Sequence, residues 1–388
     1  MVDFSNLKVA FSDKTNKDLS RAYFLFKAIS NKYISKLLTQ SLKLAMALRL
    51  PITSVVKATI YKHFCGGITI EDSQSTIDKL WKSRIGTILD FSAERKESDD
   101  DFERALQQTL FSIEKATGAD SIPFSVFKPT GLIPFALLEK MSDNSPLTID
   151  ENKQKKVFIN RIDDICNAAA THKVAVFIDA EESWIQDAID AVALTMMRKY
   201  NTQKAWIYNT IQLYRNDKLT YLNQLISTAK TDHFYLGVKL VRGAYHEQEI
   251  ARAKAKNYLC PVHTIKATTD IDYNAAVELC IQNIDTVSVC AGTHNEESSA
   301  YLTQLMETYN IDKEDDRIFF SQLLGMSDHI SYNLAKAAYN VSKYVPYGPV
   351  KDVLPYLIRR AEENISITGQ IGRELNNIIA EKQRRKNS

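Results

Sequence analysis

The sequence lacks the signals of several common protein classes. Its five cysteines are odd in number and never occur as CxxC, so neither a disulfide framework nor a zinc site is predicted. No uninterrupted apolar run reaches the ~18 residues of a transmembrane helix, and the opening MVDFSNLKVAF carries no signal or transit peptide. The formal net charge of +2 gives no indication of nucleic-acid binding. We therefore expect a cytoplasmic protein in a reducing compartment.

Several catalytic motifs are missing as well. No GxGxxG follows a strand pattern, the histidines show neither HxH nor HExxH spacing, and no GxSxG is present. A Rossmann dinucleotide site, a metal centre and a serine hydrolase are therefore not predicted. With 388 residues, of which 45% are hydrophobic and 25% charged, the chain has the composition of a globular protein with a sizeable core.

The first part of the chain is predicted to be helical. Apolar residues at mixed three- and four-residue spacing indicate one long helix over residues 19–50. Thr69–Asp90 is also interpreted as helical, and Ser98 followed by three aspartates is typical of a helix start, that helix running to Thr117. We therefore predict a helical N-terminal arm over residues 1–117.

Beyond the arm, short apolar runs alternate with amphipathic segments. Several of the runs recur at steps of about 30 residues, the length of a βα unit. Seven predicted strands lie near residues 124–129, 174–179, 206–213, 235–242, 287–292, 318–324 and 342–346. The gaps around residues 150 and 270 leave room for an eighth strand or for extra helices. This pattern predicts an α/β fold with a closed, distorted (βα)8 TIM-type barrel over residues 118–370. A doubly wound sheet is the alternative. We predict a basic helix or tail over residues 371–388.

Polar residues stand at the carboxyl ends of these predicted strands, where a parallel barrel places its active site. In FYLGVKLVRGAY, Lys239 and Arg242 bring two cations to a strand end, and Gly243-Ala244 removes side-chain bulk where a ligand would approach. The other strand-end residues are Lys128, Asp179, Glu181, Gln212, Thr293, His294 and Tyr344. Any one of them alone is explained as a polar group of the core or rim. Together they predict a site for an anionic or electron-rich ligand.

The segment KDVLPYLIRRAEEN, after the last strand, predicts a short helix with two adjacent arginines. Glu363 follows Arg359 by four residues and Arg360 by three, so its carboxylate can hold a guanidinium group in place. If this helix covers the barrel mouth, the two arginines form a carboxylate-binding site. The alternative is a solvated surface helix with weak ion pairs.

With these residues assembled, the chain resembles the proline dehydrogenase family, which are flavoenzymes with a distorted (βα)8 barrel. The resemblance covers about residues 118–370 and rests on FKPTGL, FIDAEES, NTIQLY, KLVRGAY, PVHTIKATTDIDYN, CAGTHN, QLLGMSD and YVPYGPVKDVLPYLIRRAEEN. KLVRGAY and YVPYGPV look more like the eukaryotic and short monofunctional members than the bacterial fusions. The arm matches more weakly, mainly at LDFSAE.

The resemblance implies roles for individual residues. Asp179 and Lys239 would be catalytic, Lys239 standing beside flavin N5 where many bacterial members have arginine. The implied substrate-binding residues are Lys128, Arg359 and Arg360 at the carboxylate and Tyr245, Tyr344 and Tyr356 around the ring. The implied FAD-binding residues are Ala180, Gln212, Arg242, Gly243, Ala244, Thr264, Lys266, Thr293 and His294.

The implied reaction is oxidation of L-proline to Δ1-pyrroline-5-carboxylate, the first step of proline catabolism, by hydride transfer from C5 to FAD with electrons passed to a quinone. A quinone acceptor implies peripheral contact with the inner face of a membrane. The basic tail EKQRRKNS suits such a contact, a frayed solvated tail being the alternative. A dehydrogenase for hydroxyproline or another cyclic or N-alkyl amino acid is the alternative function. A flavin-free carboxylate-binding or aldolase-like barrel is a reading of a different class.

Overall fold

The computed structural model describes residues 2–31, 40–41, 56–92, 96–366 and 370–387. Eight parallel strands form a closed barrel in chain order, with β8 pairing back onto β1. The strands are β1 (Ile85–Phe91), β2 (Phe124–Phe127), β3 (Ala175–Ile178), β4 (Ile207–Gln212), β5 (Leu236–Val241), β6 (Val287–Gly292), β7 (Ile318–Leu323) and β8 (Val341–Tyr347). The predicted barrel is confirmed, and the carboxyl ends of all eight strands therefore face one mouth.

Helices precede, connect and follow the strands. Those before the barrel are α1 (Leu7–Ala10), α2 (Asn16–Ser30), a π-helical turn (Lys57–Tyr61) continuing as α3 (Lys62–Phe64), and α4 (Gln74–Trp81). The crossover helices are α5 (Asp99–Ala116), α6 (Phe135–Ser142), α7 (Ile149–His172), α8 (Ser183–Tyr200), α9 (Lys218–Asp232), α10 (His246–Lys256), α11 (Lys266–Gln282), α12 (Glu296–Thr308) and α13 (Asp328–Lys336). After β8 come α14 (Val350–Ser366) and α15 (Gln370–Lys386).

Two kinds of core hold the barrel together. Outward-facing strand residues pack on the helices in one large apolar cluster, as the alternating side-chain directions of strands require. The barrel interior is filled by a smaller, aromatic-rich cluster, in which the rings of Phe124 and Phe177 stack at 4.4 Å and both meet Tyr208 edge-on. Tyr344 belongs to this interior cluster. The interior is therefore a packed floor, and polar chemistry is confined to the mouth.

The predicted helix over Thr69–Asp90 is wrong from residue 85 onward. Helix α4 ends at Trp81, Arg84 turns the chain with a φ of 58°, and β1 follows. The eighth strand therefore lies inside the predicted arm. The gaps near residues 150 and 270 hold extra helices instead.

Other predictions for the arm have different outcomes. The helix predicted from Ser98 is confirmed as α5, with the Ser98 hydroxyl accepting a hydrogen bond from the Asp101 amide. Of the long helix predicted over residues 19–50, the structure shows α2, while residues 32–39 and 42–50 lie outside the described part. The division into arm, barrel and tail stays a prediction.

The C-terminal segment is a packed helix over Gln370–Lys386, so the interpretation of EKQRRKNS as a frayed tail is wrong for residues 381–386. Ile378 of α15 is buried against the N-terminal helices. Arg385 donates hydrogen bonds to the carbonyl oxygens of Phe11 (2.9 Å) and Lys14 (2.8 Å), and also pairs with the buried carboxylate of Glu381. Much of the basic cluster is thus engaged within the chain. Among the described helices, none is long and apolar enough to cross a membrane.

Candidate functional site

A cavity of about 550 Å³ lies at the carboxyl ends of the strands. A volume of this size suits a small-molecule or cofactor site. The predicted residues that line it are Lys128, Asp179, Ala180, Gln212, Lys239, Arg242, Gly243, Ala244, Tyr245, Lys266, Thr293, His294, Tyr344 and Tyr356. Thr264 is exposed and does not line the cavity. Arg359 and Arg360 lie in α14, but their side chains are outside the described part of the structure.

Asp179 is the centre of a buried hydrogen-bonded network. Its Oδ1 accepts hydrogen bonds from Lys239 Nζ and from the Tyr344 hydroxyl, the latter at 2.8 Å. Lys239 Nζ also donates to the Tyr344 hydroxyl at 2.9 Å, which closes a triangle across β3, β5 and β8. Three strands far apart in sequence thus fix one another's side chains. Such closure gives each polar group a single orientation.

Lys128 extends the network to a residue that the sequence reasoning missed. Its Nζ donates to both carboxylate oxygens of Asp90, at 2.8 and 2.9 Å, and lies 3.5 Å from Asp179 Oδ2. Asp90 ends β1, which was predicted as helix, so it was not counted among the strand-end residues. The motif LDFSAE, which contains Asp90, was the one signal available. The network therefore balances two lysines against two aspartates.

The surrounding charges fix the protonation states in the network. Burial alone would raise the pKa of Asp179, but Lys239 and Lys128 outweigh it and hold the pKa below its usual range. Burial, followed by the negative charge of Asp179, raises the pKa of Tyr344 well above its ordinary value. Asp179 is therefore an ionised acceptor at neutral pH, and the Tyr344 hydroxyl remains a neutral donor.

Arg242 is held in place by three neighbours. Its guanidinium donates to Asp270 Oδ1 at 2.6 Å, to Thr293 Oγ1 at 2.6 Å and to Ser298 Oγ at 2.9 Å. It also lies 4.3 Å from the centre of the Tyr273 ring. The arginine thus links the end of β5 to the end of β6, and a fixed cation lies along this side of the cavity.

Gly243 follows this arginine and leaves bare backbone in the cavity. Its φ of +126° lies in a region that other residues rarely adopt. A Cβ built there would stand 2.5 Å from Tyr214 Cε1, which is too close for any side chain. Chain conformation and packing against Tyr214 both require glycine at this point.

Gln212 and Glu181 organise the backbone around the mouth. Gln212 Nε2 donates to the Glu181 carbonyl oxygen at 2.7 Å. The Glu181 carboxylate turns away to the loop after β2, where it accepts from the Thr130 amide at 2.9 Å and from the Thr130 hydroxyl. Glu181 is not among the residues lining the cavity. Its strand-end position therefore serves loop structure.

The end of β7 and the loop after it form another part of the wall and were not predicted. Ser321, Gln322, Met326 and Ser327 all line the cavity. Gln322 Nε2 donates to the Thr293 carbonyl oxygen at 3.1 Å. The signal available in the sequence was the motif QLLGMSD, which marks this loop without showing which side chains face the ligand.

The residues present fit FAD. The bare backbone at Gly243 suits a flat ring. Arg242 and the exposed Lys266 at the start of α11 share the carboxylate of Asp270, so the three groups together leave one net positive charge for a pyrophosphate. Lys239 and Tyr344 lie in the same cavity and are hydrogen-bonded to each other at 2.9 Å. The chain's own groups therefore provide both a surface for a flavin and a polar chamber for a small substrate.

Comparisons with known proteins agree with this geometry. The family model described as proline dehydrogenase matches residues 73–373. A carbapenem antibiotics biosynthesis protein, CarD, of Pectobacterium carotovorum subsp. carotovorum is 35% identical over 353 residues, spanning 87% of this chain and 92% of that protein. The mitochondrial proline dehydrogenase 1 of Dictyostelium discoideum is 32% identical over 413 residues, spanning 95% of this chain and 72% of its relative.

A solved structure shares the fold. Proline utilization A (PutA) of Bdellovibrio bacteriovorus, crystallised after inactivation by N-propargylglycine, matches with a TM-score of 0.73 and 20% sequence identity. The match covers 94% of this chain but 38% of that longer chain. At this identity the likeness establishes the barrel and its attached helices.

Proposed function

Because the chain belongs to the proline dehydrogenase family, we propose that it oxidises L-proline to Δ1-pyrroline-5-carboxylate with bound FAD. The observation that carries the proposal is the triangle of Asp179, Lys239 and Tyr344 in the same cavity as the Arg242–Ala244 backbone. It supports a substrate chamber directly beside a flavin surface. When bound, FAD supplies the acceptor for the hydride that leaves proline C5.

The charge balance of the network bears on how the substrate carboxylate is held. Lys128 already pairs with Asp90, and Lys239 pairs with Asp179, so these cations are largely neutralised. We therefore assign the substrate carboxylate chiefly to Arg359 and Arg360 of α14, with Lys128 acting mainly on Asp90 and more weakly on Asp179. Bidentate guanidinium pairs are well suited to a carboxylate.

Helix α14 is firmly attached where it meets the barrel. Asp352, in its first turn, pairs with Lys96 at 3.1 Å, and Val353 and Leu357 are buried. Tyr356, on the same helix, is 6% exposed and lines the cavity. This attachment supports a role for α14 as the cover of the substrate chamber, because its position is set before substrate arrives.

The amine of proline must be neutral when the hydride leaves. Asp179 is a weak base, because its pKa is held below the usual range by the two lysines. We propose that Arg359 and Arg360 at the substrate carboxylate disfavour the ammonium form of the substrate, so that its proton passes to solvent on binding. The chain's residues then position C5 and exclude water. The expected signature is a kcat/KM for proline that rises with pH towards the amine pKa.

Proline is proposed over hydroxyproline because of Tyr344. Its ring is 8% exposed, and two hydrogen bonds to Asp179 and Lys239 fix its hydroxyl. A hydroxylated substrate ring would need a smaller residue there. The check is kcat/KM for L-proline against trans-4-hydroxyproline; a preference for the hydroxylated ring would reverse the assignment.

The central experiment is anaerobic addition of L-proline to the purified protein. Bleaching of the flavin absorbance is expected, since it reports cofactor, substrate and the reductive half-reaction together. A colourless protein that binds no flavin would overturn the proposal and favour a carboxylate-binding or aldolase-like barrel. Flavin that stays oxidised with proline but bleaches with another cyclic amino acid would change the substrate.

The arginine pair is tested separately. Arg359→Met and Arg360→Met are each expected to raise KM for proline by about tenfold or more, because a charge-assisted carboxylate contact is worth roughly 1.5–3 kcal/mol. The Tm should change little if these groups act on substrate. Unchanged KM in both variants would remove the arginines from the site.

We also propose that the electrons pass to a quinone. The test is turnover of proline with a water-soluble quinone under anaerobic conditions. Quinone reduction at a rate matching flavin bleaching is expected. Flavin that remains reduced in excess quinone would call for a different acceptor.

A further inference from the structure

The first turn of the C-terminal helix α15 forms part of the cavity wall. Arg373 and Glu374 both line the cavity, although the matched family region ends at residue 373. The remainder of α15 packs on the N-terminal helices through Ile378 and through the hydrogen bonds of Arg385 to α1 and its following turn. The position of this turn is therefore set by packing well away from the cavity.

Glu374 connects α15 to the loop after β7. It is 5% exposed, and its Oε1 accepts a hydrogen bond from the Ser327 amide at 2.6 Å. Ser327 has the left-handed conformation, with φ 51° and ψ 42°, which is uncommon for a serine. A buried acceptor for its amide helps to hold that conformation. Without Glu374 the amide would be left unsatisfied in a buried place.

Ser327 passes this constraint to a predicted flavin-binding residue. Its hydroxyl is hydrogen-bonded to His294 Nδ1 at 3.0 Å. His294 follows β6 and lines the cavity. Contacts therefore run without a break from Glu374 on the C-terminal helix, through Ser327, to His294 on the ligand-facing surface.

A second observation points to a ligand at this wall. His329 is 4% exposed and lines the cavity, yet neither ring nitrogen has a hydrogen-bond partner within the described part of the chain. Its Nε2 lies 3.5 Å from Glu296 Oε2, and the same oxygen accepts from Arg373 at 3.0 Å. Buried ring nitrogens of this kind ordinarily find a partner. A bound group with polar atoms would provide one.

We propose that Glu374 is a positioning residue for the cofactor: through Ser327 it holds His294 and the adjoining wall in the conformation that binds FAD. The inference rests on the proposed function in that the bound group is taken to be FAD. It assigns the C-terminal helix to the cofactor site, in addition to its packing role. Retention of flavin then depends on a contact that the catalytic network does not include.

The charge state of Glu374 gives this role a pH dependence. Burial, followed by the charge of Asp328, raises the pKa of Glu374 to about 7. The charged or titratable groups around it on the packed elements are Asp328, His329, Lys343, Arg373 and His294, with Lys14 beyond Asp328. FAD carries a negative pyrophosphate, so a neutral Glu374 favours binding over an ionised one. FAD affinity should therefore fall as pH rises through 7.

The experiment measures FAD binding to flavin-stripped, full-length protein by flavin fluorescence, at pH 6 and pH 8. Glu374→Ala should weaken FAD binding by about tenfold or more, because a buried amide loses its acceptor. Glu374→Gln keeps an acceptor oxygen, so it should bind FAD like the wild type at pH 6. Because its side chain cannot ionise, it should not show the weaker FAD binding that is expected of the wild type at pH 8. Ser327→Ala removes the hydroxyl that contacts His294 and Glu374 but keeps the amide contact to Glu374, and it should also weaken binding.

Glu381→Ala is the matched control. Glu381 is a second buried glutamate of α15, and it holds Arg384 and Arg385 rather than the cavity wall. This control should lower the Tm without changing the FAD dissociation constant of the folded protein. Equal weakening by Glu374→Ala and Glu381→Ala would show a general loss of packing and overturn the proposal.

The remaining outcomes are also decisive. An unchanged FAD dissociation constant in Glu374→Ala overturns the inference, and if that variant is insoluble, an unchanged constant in Ser327→Ala does so. If Glu374→Gln shows the same pH dependence of FAD binding as the wild type, the charge of Glu374 has no part in that dependence. Wild-type protein that binds no FAD at either pH contradicts the proposed function instead, so the two failures are distinguishable.

Discussion

Two buried networks in this protein have the same plan, an aspartate between two lysines. In the first, Asp179 lies between Lys239 and Lys128. In the second, Asp328 lies between Lys343 at 2.8 Å and Lys14 at 3.1 Å. The difference is in what surrounds them. The first lines the cavity, whereas the second is enclosed between the barrel and the N-terminal helices, where Lys343 is completely buried.

The comparison shows that one charge arrangement serves two purposes, according to its access to the cavity. Asp179 and its two lysines border the cavity on one side, so their fixed charges can act on a bound substrate. Lys343 donates to the Met326 carbonyl oxygen as well as to Asp328, and it therefore fixes the loop after β7. The enclosed network thus has a structural role. It supports the loop after β7, which forms part of the cavity wall.

Asp328→Asn is expected to have the largest effect. It leaves the completely buried Lys343 without its carboxylate partner, whereas Lys14 keeps Asp13 at 2.9 Å. Breaking a buried ion pair from one side typically costs about 3–5 kcal/mol. The free energy of unfolding, measured by urea denaturation followed by far-UV circular dichroism, should fall by this amount. A loss below about 1 kcal/mol would show that the enclosed network contributes little to stability.

Asp179→Asn is the matched change in the cavity network. Lys128 keeps Asp90, and Lys239 can be solvated through the cavity, so the loss of stability should be smaller than for Asp328→Asn. Turnover should suffer instead, because the positions of Lys239 and Tyr344 are no longer fixed. We expect kcat/KM for proline to fall by about 100-fold. Equal losses of stability in the two variants would remove the distinction between the networks.

The smallest expected effect is a contrast in pH dependence between Asp328 of the enclosed network and Glu374 of the cavity wall. Although burial opposes it, Lys14 and Lys343 hold the pKa of Asp328 far below its usual range, so its stabilisation is present above about pH 4 and is lost as pH falls. The pKa of Glu374 is raised to about 7, so stability is lost as pH rises from about 4.5 towards 7. The Tm of the wild type should therefore decline between pH 5 and pH 8 relative to Glu374→Gln. Parallel Tm curves would contradict the assignment.

The sequence predicted the barrel and most of the cavity because those features depend on local signals. A run such as FYLGVKLVRGAY shows its strand, its terminal cations and its glycine within a few residues, and the structure places Lys239, Arg242 and Gly243 together at the mouth. Parallel strands end at one face, so strand-end residues can be grouped without coordinates.

The first strand could not be predicted by the same reasoning. The apolar residues of α4 and β1 continue one another at helix-like spacing, and the break between them is made by Arg84 in a left-handed conformation, with no glycine or proline to mark it. β1 is a strand because β2 and β8 pair with it.

Asp90 was missed because β1, which contains it, was predicted as helix. Glu374 was missed because its partner Ser327 is 47 residues away in sequence.

The pairing of β1 with β8 has a consequence for how the protein becomes active. It aligns seven residue pairs from Ile85↔Val341 to Phe91↔Tyr347, so it joins the first strand to the last. Contacts between such distant segments carry the greatest loop-closure cost, and we expect this seam to form late in folding. Asp90 and Tyr344 lie on its two sides. Proline-dependent flavin bleaching should therefore appear only with the slowest refolding phase. A chain in which β8 has not yet paired with β1 would lack the complete active site.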